Sequence, residues 1–227
     1  DGKCVTFRVW APIRKTVDIV LEGLHAATHR LESEGDGYFA GTVPSLNSGA
    51  LYRLRLDNKE TAPDPASRFQ PQGPHGPSQT VNPHIFKWTD DKWQGVSIEG
   101  QVIYEMHVGT FTREGTWKAA ARQLARLADL GVTAIETMPL AEFQGRFGWG
   151  YDGTCLFAPS HLYGAPDDFR SFVNQAHKHS IGVILDVVYN HLGPDGNYLP
   201  KFSNGYFAAA HTTDWGEAIN FDGKNSA

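Results

Sequence analysis

Cysteine and methionine are scarce in this sequence, two of each in 227 residues. One pair, Cys4 and Cys155, cannot build a disulfide scaffold or a four-cysteine metal site, and it reads as two reduced core thiols in a cytoplasmic protein. Long apolar runs are missing as well. The best, Ile181 to Leu185, is five residues long and contains a glycine, far short of the roughly 20 that cross a bilayer. No basic-then-apolar signal segment opens the sequence, which passes from Asp1-Gly2-Lys3 straight into strand-like alternation. Positive charge is not in excess: Lys plus Arg number 20 against 25 Asp plus Glu, a formal net charge of −5. A mildly acidic chain has no field to draw in phosphate backbones or anionic lipid, so neither nucleic acid nor a membrane is an expected partner. Internal repeats, a Gly-x-Ser-x-Gly nucleophile elbow and a Gly-x-x-x-x-Gly-Lys-Ser/Thr loop are all lacking.

What is present is aromatic. Phe, Trp and Tyr make up 12% of the chain, with 24 Gly and 13 Pro beside them. Ring faces combined with long loops suit a sugar, whose C–H faces stack on aromatics, although aromatics fill cores just as readily.

Two segments differ in pattern. From residue 1 to about 92, short stretches alternate: Val5, Phe7 and Val9; Val17, Ile19 and Leu21; Tyr52, Leu54 and Leu56 against Arg53 and Arg55. Period 2 with charge on the opposite face predicts antiparallel strands with one wet side. Turn signals at Gly35-Asp36-Gly37 and Asn47-Ser48-Gly49 complete the expectation of a small immunoglobulin-like β-sandwich. Pro63 to Pro83 carries six prolines, which exclude a helix or central strand and predict an ordered linker wrapped on a neighbouring surface.

From residue 93 onward the pattern is strand, helix, strand, helix, strand. A strand begins at Val102-Ile103-Tyr104. Thr116 is a candidate N-cap for a helix carrying Trp117, Ala120, Leu124 and Leu127 on one face, closed by Gly131. Val132 to Met138 is a second strand. Pro166 with Asp167 and Asp168 opens a helix striped by Phe169, Phe172, Val173 and Ala176. Gly182 to Val188, dense in Val, Ile and Leu, predicts a third strand buried on both faces. This is a parallel α/β arrangement with right-handed crossovers.

Two motifs are decoys. Gly148-Trp149-Gly150-Tyr151-Asp152-Gly153 matches the dinucleotide-binding pattern, yet it lies mid-loop and no helix can open at the Cys155-Leu156-Phe157-Ala158-Pro159 that follows. His177 and His179 stand two apart on a helix, point to different faces and cannot share a metal. The strongest local signal is Asp186-Val187-Val188-Tyr189-Asn190-His191: titratable groups at the end of a parallel strand are where barrel folds place chemistry. A structural carboxylate at Asp186 and a loop cap at His191 are the alternative.

Asp186 to His191 resembles the first signature region of the α-amylase superfamily of glycoside hydrolases. The run Phe147 to Gly153, with Phe157-Ala158-Pro159, Tyr163-Gly164 and Pro166-Asp167-Asp168, is similar to its branching-enzyme and trehalohydrolase arm. Pro63 to Pro71, His75 to Gln79, Tyr104 to Phe111 and Gly115-Thr116-Trp117 narrow the resemblance to the malto-oligosyltrehalose trehalohydrolases; branching enzymes match the proline-rich segment less well. The resemblance implies a β-sandwich ahead of a (β/α)8 barrel and retaining hydrolysis of the α-1,4 bond next to a terminal trehalose. It implies that Tyr151 stacks on the sugar where the bond breaks, that His191 bonds that sugar's primary hydroxyl and that Asp186 is a supporting, orienting carboxylate. Trp149 and Asp152 would shape the pocket. Asn190 matches a calcium-ligand position of some amylases, but companion ligands are not identifiable, and no cofactor is expected. Ser180 stands where relatives commonly carry a helix-ending glycine.

A whole barrel takes about 250 residues, and from Gln101 this sequence has 127. The nucleophile and acid/base carboxyls that the resemblance implies follow the fourth and fifth strands, outside this sequence. Asp195, Asp214, Glu217 and Asp222 fall in the loop after the third strand and are assigned to loop hydrogen bonding. The expectation is therefore a catalytically incomplete part of a barrel whose partners are a malto-oligosaccharide and the barrel's missing half. The rival readings are a branching-type glucanotransferase and a non-catalytic α-glucan-binding module using Trp88 and Trp93.

Overall fold

The computed structural model describes residues 4–23, 26–224 and 226; the Asp1-Gly2-Lys3 opening lies outside them. Eight strands come first: β1 (Cys4–Trp10), β2 (Val17–Leu21), β3 (Ala27–Arg30), β4 (Glu32–Gly35), β5 (Tyr38–Pro44), β6 (Leu51–Leu56), β7 (Glu60–Ala62) and β8 (Ser78–Gln79). They form two antiparallel sheets, one ordered β1-β5-β4 and the other β3-β2-β6-β7 with β8 also on β6. Alternation does what period 2 requires: Phe7, Val9, Ile19, Phe39, Leu54 and Leu56 from both sheets meet in a single core.

Asp18 breaks the expected wet side of β2. It is 1% exposed, because Arg30 from β3 and Arg55 from β6 close over its carboxylate, Arg55 at 2.9 Å. A buried carboxylate without such partners would carry a large desolvation cost. Cys4 is also corrected: it is exposed at the start of β1, and only Cys155 is a core thiol.

The proline-rich segment is ordered and largely buried. Asp64 holds its start, accepting from the Tyr52 hydroxyl at 2.7 Å and from the Ala66 amide at 2.8 Å while its own amide donates to Ser78 Oγ. Fully buried Gln70 reaches the carbonyls of Gly73 and Pro74 and accepts from Cys155 Sγ across the chain.

The second half is built on a parallel sheet of β9 (Ile103–Met106), β10 (Ala134–Thr137) and β13 (Gly182–Leu185), with β10 central. Between β9 and β10 lie α1 (Val108–Phe111), α2 (Trp117–Ala121) and α3 (Leu124–Asp129). The single helix expected from Trp117 onward is thus two, separated where Arg122 and Gln123 donate three residues back. Thr116 caps α2 through the Ala119 amide at 3.3 Å. Between β10 and β13 run the short pair β11 (Ala141–Glu142) and β12 (Cys155–Pro159), then α4 (Pro166–Lys178). The helix after Pro166 ends through Ser180 at φ 59°, a left-handed position held without glycine. Trp117, Leu124, Leu127, Ile135, Phe172 and Ile181 form the core beneath the sheet.

β13 departs from expectation. It stops at Leu185, and Ile184, Leu185 and Val187 are all exposed. Burial of a Val-Ile-Leu run depends on a neighbour, and β13 is the edge of the three-stranded sheet, with no strand paired on its outer side among the described residues. The sheet does not close into a barrel. The segment beyond it is not plain loop either, since β14 (Phe207–Thr213) and β15 (Gly216–Ile219) pair as a hairpin. Just before that hairpin, Phe202 is fully buried in the core of the two antiparallel sheets, and Tyr206 donates to the Trp10 carbonyl at 3.2 Å. Arg14 donates to the Lys201 carbonyl at 2.6 Å. No helix among the described residues is long and apolar enough to cross a membrane.

Phe202→Ala should therefore destabilise the two antiparallel sheets, by about 3–5 kcal/mol in urea unfolding; a cost under 1 kcal/mol would mean that this ring is not part of their core. Burial pushes the Cys155 thiol up to about 12. A thiol reagent at pH 8 should accordingly titrate one cysteine in the native protein, Cys4, and two in denaturant.

Candidate functional site

The site lies at the C-terminal ends of β9, β10 and β13. Registry aligns Glu105 with Glu136 and Glu136 with Ile184, so two glutamates share the open face of the sheet, and Asp186 follows β13 on that face. The Asp186 amide donates to the Thr137 carbonyl at 3.0 Å, which keeps the carboxylate at the strand end.

Over these carboxylates folds the loop 143–154. Its tip lies flat because glycine allows it. At Gly150, φ 95°, an added Cβ would lie 1.9 Å from the Pro139 carbonyl oxygen. At Gly193 an added Cβ would lie 2.1 Å from the Asp152 carbonyl oxygen, and the Gly193 amide donates to the Gly153 carbonyl at 3.0 Å. The glycines of the apparent dinucleotide motif thus serve chain packing. The two contacts bring Tyr151 over the sheet, where its hydroxyl donates to Asp186 Oδ2 at 3.2 Å. Burial pushes the Tyr151 phenol above its ordinary value, and the nearby Asp186, Glu105 and Glu136 add to this by opposing a phenolate.

The other candidates are placed differently. Trp149, 75% exposed, lines a cavity of about 690 Å³ with Phe147, His107, Arg113 and Arg146. His107 Nε2 donates to the Gly148 carbonyl at 2.9 Å and so steadies this loop. Asp152 is exposed, and its backbone rather than its carboxylate makes the contact with Gly193. His191 is buried; it bridges to Ala218 of the hairpin, its Nδ1 lies 3.1 Å from Asn190 Oδ1, and it makes no hydrogen bond with Tyr151 or Asp186. Asn190 Oδ1 is thus in contact with the neighbouring imidazole, and no cluster of three or more His, Cys, Asp or Glu suited to a metal lies among the described residues. Asp195 faces His75 at 3.1 Å and Asp222 faces His211 at 3.4 Å, both in surface pairs. Trp93 stacks on His177 at 4.4 Å, and His177 pairs with Asp90 at 2.6 Å, so that ring face is already covered. Trp88 packs edge-on against Phe86 and lines a groove with Phe157, Val173 and Tyr189.

Glu105, Glu136 and His107 escaped the sequence reading. The signal was there as alternation: Ile103 and Glu105 sit in opposite phase to Tyr104 and Met106.

A family model described as "Alpha amylase, catalytic domain" matches residues 79–224. The chain belongs to the α-amylase family. Within that family it is 46% identical over 226 residues to a malto-oligosyltrehalose trehalohydrolase of Saccharolobus solfataricus, covering 100% of this chain and 40% of that protein. A malto-oligosyltrehalose trehalohydrolase of Deinococcus radiodurans is 44% identical, with 97% of this chain matching 36% of that one. Among solved structures, one from Salmonella typhimurium assigned as an α-amylase superposes with a TM-score of 0.93 at 43% identity, over 97% of this chain and 37% of that one. The chain thus spans about two fifths or less of the length of these family members.

In this α-amylase-family site, Asp186→Asn should bring the Tyr151 phenol back down toward the ordinary tyrosine range, read from a pH titration of the labelled ring with Tyr151→Phe as the blank. The sign follows from removing a negative charge that disfavours phenolate. An unmoved titration would mean that the 3.2 Å contact does not persist in solution.

Proposed function

We propose that these residues form the first part of a glycoside hydrolase that cleaves the α-1,4 bond next to the terminal trehalose of malto-oligosyltrehalose with retention, releasing trehalose. The observation that carries the reading is the Tyr151 ring held at the strand ends by its bond to Asp186, on the same loop as the Trp149 that lines the neighbouring cavity. The names of the relatives at 46% and 44% identity support the choice of substrate. In this reading residues 1–92, with the linker 63–83, are a β-sandwich, and residues 93–227 supply the first three βα units of a (β/α)8 barrel.

Retaining hydrolysis needs a nucleophilic carboxylate and an acid/base carboxyl about 5 Å apart across the bond. Asp186 is bonded to Tyr151 and acts as an orienting group; Tyr151 offers the stacking face, Trp149 and Asp152 shape the pocket and His191 reaches the sugar's hydroxymethyl. Both reacting carboxyls come from the remainder of the barrel. That remainder also covers the apolar groove of about 410 Å³ beside Leu185, Val187 and Tyr189. The chemistry calls for no cofactor, and the unpaired thiols suit a reducing cytoplasm.

The test is trehalose release from malto-oligosyltrehalose. The 227-residue chain, checked at an intact mass of 25.0 kDa, should release none. A longer protein containing it should release trehalose, and Tyr151→Ala should lower kcat/KM about 100-fold. Release by the 25.0 kDa chain would place the reacting carboxyls among the residues described here. Branched glucan in place of trehalose, read by iodine staining, would make the protein a glucanotransferase.

A further inference from the structure

The loop 143–154 presents Trp149 and Tyr151 without any regular structure of its own, and such a loop depends on its roots. One root is Glu142, which is 0% exposed and lies away from the cavity that Trp149 lines. Its Oε1 accepts from the Phe143 amide at 3.2 Å, at the loop's entry. Its Oε2 accepts from the His161 amide at 2.8 Å and from His161 Nδ1 at 2.9 Å, just past β12. Its own carbonyl accepts from the Thr154 amide at 2.8 Å, at the loop's exit. One residue thus grips both ends of the loop and the segment beyond it.

A charge is a poor choice for this place on stability grounds alone. Burial pushes the Glu142 carboxyl up, against the hydrogen bonds from His161 and Phe143 that favour its ionised form. A well-packed apolar residue would often serve stability as well or better. What the carboxylate adds is direction, because its two oxygens fix three donors at set angles. The Phe143 ring beneath Gly148 then transmits the entry angle to the tip.

We propose that Glu142 is a positioning residue for α-glucan binding: its carboxylate sets the orientation in which Trp149 and Tyr151 meet the sugar. This rests on the glucan-cleaving reading for its ligand, but not for the anchor itself.

Two measurements test it. In hydrogen exchange on the 227-residue chain, Glu142→Leu should speed the amides of residues 147–153 about tenfold and leave those of β2 and β6 unchanged. In the longer protein the same variant should raise KM for malto-oligosyltrehalose about tenfold while kcat falls less than about threefold, and Glu142→Gln, which keeps one acceptor oxygen, should recover most of the loss. Unchanged exchange in 147–153, or an unchanged KM, overturns the proposal. So does faster exchange throughout the chain, which would make Glu142 a general stabiliser. If Glu142→Leu does not fold, Glu142→Gln is read in the same way, with about threefold faster exchange expected. A wild-type longer protein that releases no trehalose but responds to a maltotetraose titration moves the KM test to a Kd for that sugar, and then only the hydrolase reading fails. Absence of any glucan response in the wild-type protein overturns the proposal together with that reading.

Discussion

Close approach of backbone to backbone governs the site. The loop 143–154 can lie on the strand ends only because Gly150 accepts the Pro139 carbonyl and Gly193 accepts the Asp152 carbonyl at distances that no side chain would tolerate. The aromatic platform, the bond from Tyr151 to Asp186 and the mouth of the cavity all follow from those two contacts. A methyl group at either place would lift the loop, and the phenol would leave the carboxylate. The chemistry at the strand ends is therefore set by packing density before it is set by charge.

Local pattern explains why much of the fold was legible. Alternation at Val5 to Val9, Val17 to Leu21 and Leu51 to Leu56 needs only near neighbours to declare a strand, and Thr116, Pro166 and Gly131 mark helix ends by local chemistry. What stayed hidden depends on distant partners. Asp18 looks solvated until Arg30 and Arg55 arrive from other strands. Ile184 and Leu185 look buried until β13 proves to be an edge. Tyr151 and Asp186 were each singled out as motif residues, but their contact spans 35 positions and hangs on Gly193, which carries no motif of its own.

The two kinds of sheet place charge differently. In the antiparallel half Asp18 is sealed between two guanidiniums, a closed arrangement with no room for a ligand. In the parallel half Glu105, Glu136 and Asp186 share one open face, and Tyr151 bonds Asp186 there. Among the described residues these carboxylates have no ion-pair partner, and carboxylates placed so on an open face are available to a polar ligand.

Phe202 also imposes an order of events. The antiparallel sheets are encoded by residue 79, yet their core is filled by a ring that a ribosome adds much later. At about 5–20 residues per second the wait is roughly 6 to 25 s. During translation the early strands must persist with that space unfilled, so the N-terminal region gains its final stability late, at the moment when the chain beyond the parallel sheet folds back across it.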